Sequence, residues 1–290
     1  MALETFIRLG LLLSIWLVVL SLGARTSIDE ALFVLRRPLK LARALAAMFV
    51  VQPAFALLLA ATLPLPAAIK FVIVAMSVGP VPPVLPYKQM KAGADEDYAT
   101  GLLVMASLAS IVLTPVLVAG ATRLLGATAE VGFAQVARTV LMTIGVPLAA
   151  GMALHAASGR AAGAVAKFAQ RAGSLLLLAV FAVMVVAAWR QILGLFGNGA
   201  VLAIAATVAV GLATGHLLGG RHAAALALAT ATRHPGVALA IAQMSYPDQI
   251  KPITAAVLLY LLVNALVTAP YVRWARGRAA PFDGHAGSRA

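Results

Sequence analysis

The stretch Val78 to Pro86, VGPVPPVLP, constrains the chain more than any other, because it interrupts a run that hydropathy alone would read as one membrane helix. Pro80, Pro82, Pro83 and Pro86 lack backbone N–H groups and clash with the preceding turn, so no continuous helix passes through it. The apolar run that precedes it, with Ile69 to Met76 as its core, rises at ~1.5 Å per residue and reaches about halfway across a ~30 Å hydrocarbon layer. The break is therefore expected near the bilayer midplane. Irregular backbone is tolerated there only inside protein or against a watery cavity, since lipid supplies no hydrogen-bond partner. Secondary transporters build their binding sites from such broken helices.

With 62% hydrophobic and 11% charged residues, the chain is too apolar for a soluble domain and reads as an all-α, polytopic membrane protein. Apolar runs predict nine spans near 5–24, 39–62, 66–92 (the broken one), 98–120, 133–156, 171–195, 199–219, 222–245 and 252–275. The apolar run Leu9 to Leu22 is followed by GARTSIDE, without a clear small-residue cleavage site, and reads as the first span. Basic residues set the orientation. Arg25, Arg36, Arg37, Lys40, Arg43, Lys88, Lys91, Arg160, Lys167, Arg171, Arg221, Arg273, Arg276, Arg278 and Arg289 fall on one side. Only Arg8, Lys70, Arg123, Arg138, Arg190 and Lys251 fall on the other. By the positive-inside rule the N-terminus is outside and the C-terminus cytoplasmic, in a multi-pass protein of the cell (inner) membrane. The net charge of +13 then reflects topology, and nucleic acid is no expected partner. Absence of cysteine removes disulfides and thiolate chemistry.

A second anomaly lies in the eighth span, at Ala229-Thr230-Ala231-Thr232-Arg233-His234-Pro235-Gly236. Pro235 and Gly236 interrupt a helix just after polar residues in an otherwise aliphatic segment, and a buried Arg233 is expected to point inward. Two breaks, one in each half, predict inverted repeats over 1–125 and 126–278 of a single domain spanning 1–290, with 279–290 as a short polar tail. Blander readings stand beside these: an ordinary loop between two short helices for the first break, and a helix end whose Arg233 and His234 snorkel to the interface for the second. Asp95-Glu96-Asp97 reads as a solvated loop at the start of the fourth helix. His155, His216 and His222 have no ligand spacing, so neither metal nor cofactor is expected. Gln52, Ser107, Ser110, Thr114 and Thr143 are compatible with helix–helix hydrogen bonds, while Asn264 is kept as a site candidate. No Asp pair, HExxH or nucleophile–base arrangement suggests an enzyme.

The segment Leu20 to Leu39, ending Phe33-Val34-Leu35-Arg36-Arg37-Pro38, with Phe49 and Pro53 in the next helix, resembles the bile acid:sodium symporter family within the bile, arsenite and riboflavin transporter superfamily. Pro80 and Thr114-Pro115 fall at the separation that family shows between its first broken helix and the next helix's Thr-Pro. Ala229 to Gly236 aligns with the family's Glu-x-x-x-Gln-Asn-Ser-Gly motif, and Asn264 with an Asn in its last helix. The resemblance implies a nine-span fold in which two broken helices cross near the midplane.

The departures concern ion coupling. Where the family has side-chain oxygen ligands for sodium, this chain has Met48, Leu85, Pro86, Ala99, Leu103, Ala229 and Arg233. A guanidinium offers no lone pair to a cation and attracts carboxylates instead. The expectation is alternating-access transport of small organic anions, proton-coupled, exchanging or uniporting, with a proton a better candidate than sodium for any coupling ion. Thr230, Thr232, Arg233, His234 and Asn264 are the expected substrate contacts. Pro80, Pro82, Pro83, Pro86, Pro235 and Gly236 are expected to hold the crossing open. Two alternatives remain: sodium coupling through backbone carbonyls, and a non-transporting membrane receptor or sensor with a transporter fold.

Overall fold

The computed structural model describes residues 2–32, 34, 36–124 and 133–278. Phe33 and Leu35 of the resemblance motif, the junction expected at 125/126, and the tail 279–290 with Arg289 lie outside the described residues. The described residues form helices and no strand. These are α1 (Ala2–Gly23), α2 (Pro38–Thr62), the pair α3 (Ala67–Val78) and α4 (Leu85–Lys91), and α5 (Glu96–Leu124). Next come α6 (Phe133–Val140, continuing through a wide turn at Leu141–Gly145 into Val146–Ala157), α7 (Gly159–Ala187) and α8 (Ala200–Gly219). The pair α9 (Ala223–Ala231) and α10 (Pro235–Ser245) precedes α11 (Ile250–Arg278).

Among the described residues, 7 helical segments are long and apolar enough to cross a membrane. One of them, Ala200–Ala231, folds back at Gly220, so α8 and α9 lie antiparallel. A Cβ on Gly215 would fall 2.5 Å from the Ala227 Cα, which is why glycine and alanine face each other there. Outward faces carry exposed Leu13, Leu178, Val186, Leu202, Leu217 and Leu266, a surface that matches lipid tails rather than water.

One expected boundary was misplaced. The sixth span, read as 171–195, instead begins at Gly159 and ends at Ala187. Arg160, Lys167 and Arg171 suggested a loop, but charged residues are good helix formers, and Ser158 accepts a hydrogen bond from the Ala161 N–H to start the helix.

The helices fall into two groups. In the first, α1 packs on α6 and α7. Backbones touch at Gly23 and Gly151, where an added Cβ would meet Leu148 O at 2.3 Å and Leu20 O at 2.4 Å. In the second, α2, α5, α8 and α11 surround the two interrupted pairs, over a core that includes Met48, Ile69, Ile73, Met76, Leu228 and Tyr260. The groups meet through Ile15 and Val19 of α1, Val78, Val104, Val118, Ile144, Leu148 and Ile241, an apolar seam.

The halves repeat one device. Pro80 and Pro115 lie as far apart in sequence as Pro235 and Pro270, and in each half the second proline sits inside a 29-residue helix.

Candidate functional site

Both interruptions are real, and they meet. The chain leaves helix at Gly79 and resumes at Leu85, and leaves it again at Thr232 to resume at Pro235. The His234 N–H donates to the Pro80 carbonyl at 2.8 Å, joining the two breaks backbone to backbone. An added Cβ on Gly79 would lie 3.4 Å from the His234 carbonyl, an ordinary contact distance that marks how near the two breaks come.

Proline accounts for the remaining polar contacts. A helical carbonyl is normally taken by the N–H four residues on, and a proline there leaves it without a donor. Val78 and Gly79 precede Pro82 and Pro83 by that spacing, and Ala231 precedes Pro235. Met48 sits in a wide turn, where Gln52 N–H donates to Ala47 and the next nitrogen belongs to Pro53. Each of these four carbonyls receives a side chain from elsewhere in the chain. Thr114 Oγ1 donates to Val78 O at 2.8 Å, and Asn264 Nδ2 donates to Ala231 O at 2.8 Å. Arg233 takes the other two, Nη1 donating to Gly79 O at 3.2 Å and Nη2 to Met48 O.

Arg233 is 1% exposed, the largest fully buried side chain, and its guanidinium carbon lies 5.4 Å from the centre of the Phe49 ring. His234 caps α10, its Nδ1 accepting from the Gly236 N–H at 2.9 Å. That acceptor role requires the neutral ring with its proton on Nε2. Thr230 Oγ1 turns back onto Leu226 O in its own helix. Among the described residues, Gln52 Oε1, Thr232 Oγ1, Arg233 Nε and Tyr260 Oη are buried polar atoms without a partner. Of the expected substrate contacts, Arg233, His234 and Asn264 therefore gather at the crossing but spend the groups just named on the protein itself.

A cavity of about 400 Å³ opens beside the first break. Pro83, Val84 and Pro86 form one wall, Ser21, Leu22 and Arg25 of the α1 end a second, and Tyr87, Met90, Glu96, Asp97, Thr100 and Gln170 the rest. It lies between the two helix groups at the C-terminal end of α1, and Leu22 both lines it and packs on the apolar seam. Arg25, Glu96 and Asp97 are exposed at its mouth. Asp95 faces a different task, accepting the Tyr98 N–H at 2.8 Å to cap α5. A larger cavity of about 850 Å³ between Leu59–Pro66 and Asn198–Ala206 is lined almost wholly by apolar side chains and offers little to orient a polar ligand.

Sequence reasoning reached the wall of the polar cavity through Pro83 and Pro86, but it missed Arg25, Gln170 and Thr100. Gln170 was hidden because the start of α7 was placed at 171. Arg25 looked like an ordinary loop charge, and nothing in its local sequence set it apart.

Two interrupted helices joined at their breaks, inside a two-group helical membrane protein with a polar cavity between the groups, have the build of a membrane transporter. A model of the Sodium Bile acid symporter family matches residues 12–195, and the chain belongs to that family of transporters. The match covers the first break and the polar cavity, while the second break and Asn264 lie beyond it. No curated protein matches the chain.

Proposed function

We propose that this protein is a secondary transporter of small organic anions that works by alternating access without sodium coupling at the crossing. The observation that carries this reading is the polar cavity between the two helix groups, closed at one end by the apolar seam and walled by the first break. Rocking α1, α6 and α7 against the remainder would open the seam and close the cavity, exposing one site to each side in turn. A receptor would have no need of a polar cavity that reaches the break.

Arg25, Gln170, Ser21 and Thr100 are suited to hold a carboxylate and its polar substituents, and Thr232 keeps a hydroxyl to spare. Thr230, Asn264 and His234 act by shaping the crossing, and Arg233 by its charge. Backbone-ligated sodium is disfavoured because side chains already occupy four carbonyls at the crossing, those of Met48, Val78, Gly79 and Ala231. The basic loops lie on the cavity's side, and with that side cytoplasmic this conformation is inward-facing. The halves 1–125 and 126–278 act as inverted repeats of one domain.

The test is uptake by proteoliposomes of a panel of labelled carboxylates, keto acids, pantothenate-like acids and steroid acids among them, in sodium and in choline buffer. Uptake of at least one acid at equal rates in both buffers is expected. Failure across the panel, or a requirement for sodium, would overturn the reading.

A further inference from the structure

Arg233 presents a problem that the transport cycle as described does not use. Its charge is permanent and buried, yet among the described residues no Asp or Glu is buried. What surrounds it is a set of neutral dipoles: the carbonyls of Met48 and Gly79, and the face of Phe49. Pro53 removes the donor that the wide turn would give Met48, and Gly79 is already extended backbone beyond the end of α3, so neither carbonyl is satisfied within its own segment. Backbone oxygens from unwound turns of separate helices, converging at one point, are the donor set that proteins offer to a bare cation.

We infer that Arg233 is a tethered cation: its guanidinium, carried on the second break, fills a cage formed by the carbonyls of α2 and the first break, and so does from within the chain what an ion from solution would otherwise do. The inference deepens the reading of a transporter uncoupled from sodium and rests on it. Two consequences follow. The cage stays filled at every salt composition, so assembly of the crossing needs no ion. Truncating the side chain empties the cage without disturbing the prolines that made it, leaving a site that a free guanidinium ion matches in shape and charge.

The experiment is thermal unfolding of the purified full chain in detergent, which needs no knowledge of the substrate. Arg233→Ala is expected to melt well below the parent and to be restored, saturably, by low-millimolar guanidinium chloride but not by choline chloride at equal ionic strength. The parent protein should not respond. Arg233→Lys and Arg233→Met carry the test if the alanine variant cannot be purified: Lys, keeping a charge, should retain more of the parent melting temperature than Met, which keeps only length. Equal melting of parent and alanine variant, an equal guanidinium response in both, or Met matching Lys would overturn the tethered cation. The uptake panel can fail while these melting results hold, or the reverse, so the two readings fall separately.

Discussion

The first interruption, Gly79–Val84, contains Pro80, Pro82 and Pro83 and no ionisable side chain, whereas the second, Thr232–His234, ends at one proline and carries Arg233 and His234. The first half thus supplies mainly acceptors to the crossing, and the second supplies most of the donors. Where the halves agree is in how the last helical carbonyl before each break is satisfied. Thr114 of α5 serves Val78, and Asn264 of α11 serves Ala231, at the same distance. The proposed repeat thus has one such scaffold contact in each half, while the charge at the crossing lies in the second.

If that division holds, the donors of the second half should matter most. Asn264→Leu removes the only described partner of Ala231 O and puts an apolar side chain against a buried acceptor. An unsatisfied buried group costs about 1 to 3 kcal/mol, and with the misfit the loss should lie at the upper end. The melting temperature in detergent should fall clearly, and uptake should fall with it. A variant as stable as the parent would mean that the α9 end is held some other way.

The matching change in the first half is Thr114→Val, nearly isosteric and lacking the hydroxyl. It should cost about 1 to 2 kcal/mol, since the volume is kept and only the bond to Val78 O is lost. Comparing the two variants by unfolding measures the asymmetry directly. A larger effect for Thr114 would reverse the assignment of the second half as the more constrained one.

Much of this was legible in the sequence, for a definite reason. Proline acts locally, so both breaks and their places could be read from Pro80, Pro82, Pro83 and Pro235 without knowing what lies nearby. Hydropathy placed the long helices equally well, except where Arg160, Lys167 and Arg171 disguised the first turns of α7. What could not be read is which side chain answers each freed carbonyl. Gln52 and Thr114 do bond to other helices, through Thr207 O and Val78 O, but Ser107, Ser110 and Thr143 turn back onto their own. Nothing in the spacing of these residues separates the two behaviours, because the choice depends on which backbone carbonyl a neighbouring helix brings within reach. The polar cavity was hidden for the same reason, since α1, α4, α5 and α7 contribute to it from distant parts of the chain.

At the cavity, Arg25→Gln should raise the KM for a carboxylate about tenfold, equivalent to about 1.4 kcal/mol, with less change in maximal rate. Uptake kinetics in proteoliposomes supply the check. An unchanged KM would move substrate recognition deeper, toward Thr232 and the crossing, and so toward the second half.

The smallest effect should come from His234→Asn, and it bears on coupling. His234 accepts the Gly236 N–H through Nδ1, and a protonated ring could not do so, because both nitrogens would then carry hydrogen. Protonation would therefore cost the helix its cap, which holds the ring neutral. Asn is as good a cap, so stability should change by less than about 0.5 kcal/mol, whereas His234→Leu should lose about 1 kcal/mol. If the ring only caps, uptake by the Asn variant should keep the parent's dependence on pH. A pH dependence present in the parent and abolished in the Asn variant would instead make His234 a proton carrier, with release of the cap as part of the cycle. The second half would then hold the coupling group as well as the fixed charge, and the contrast between the two interruptions would be sharper than their hydrogen bonds alone imply.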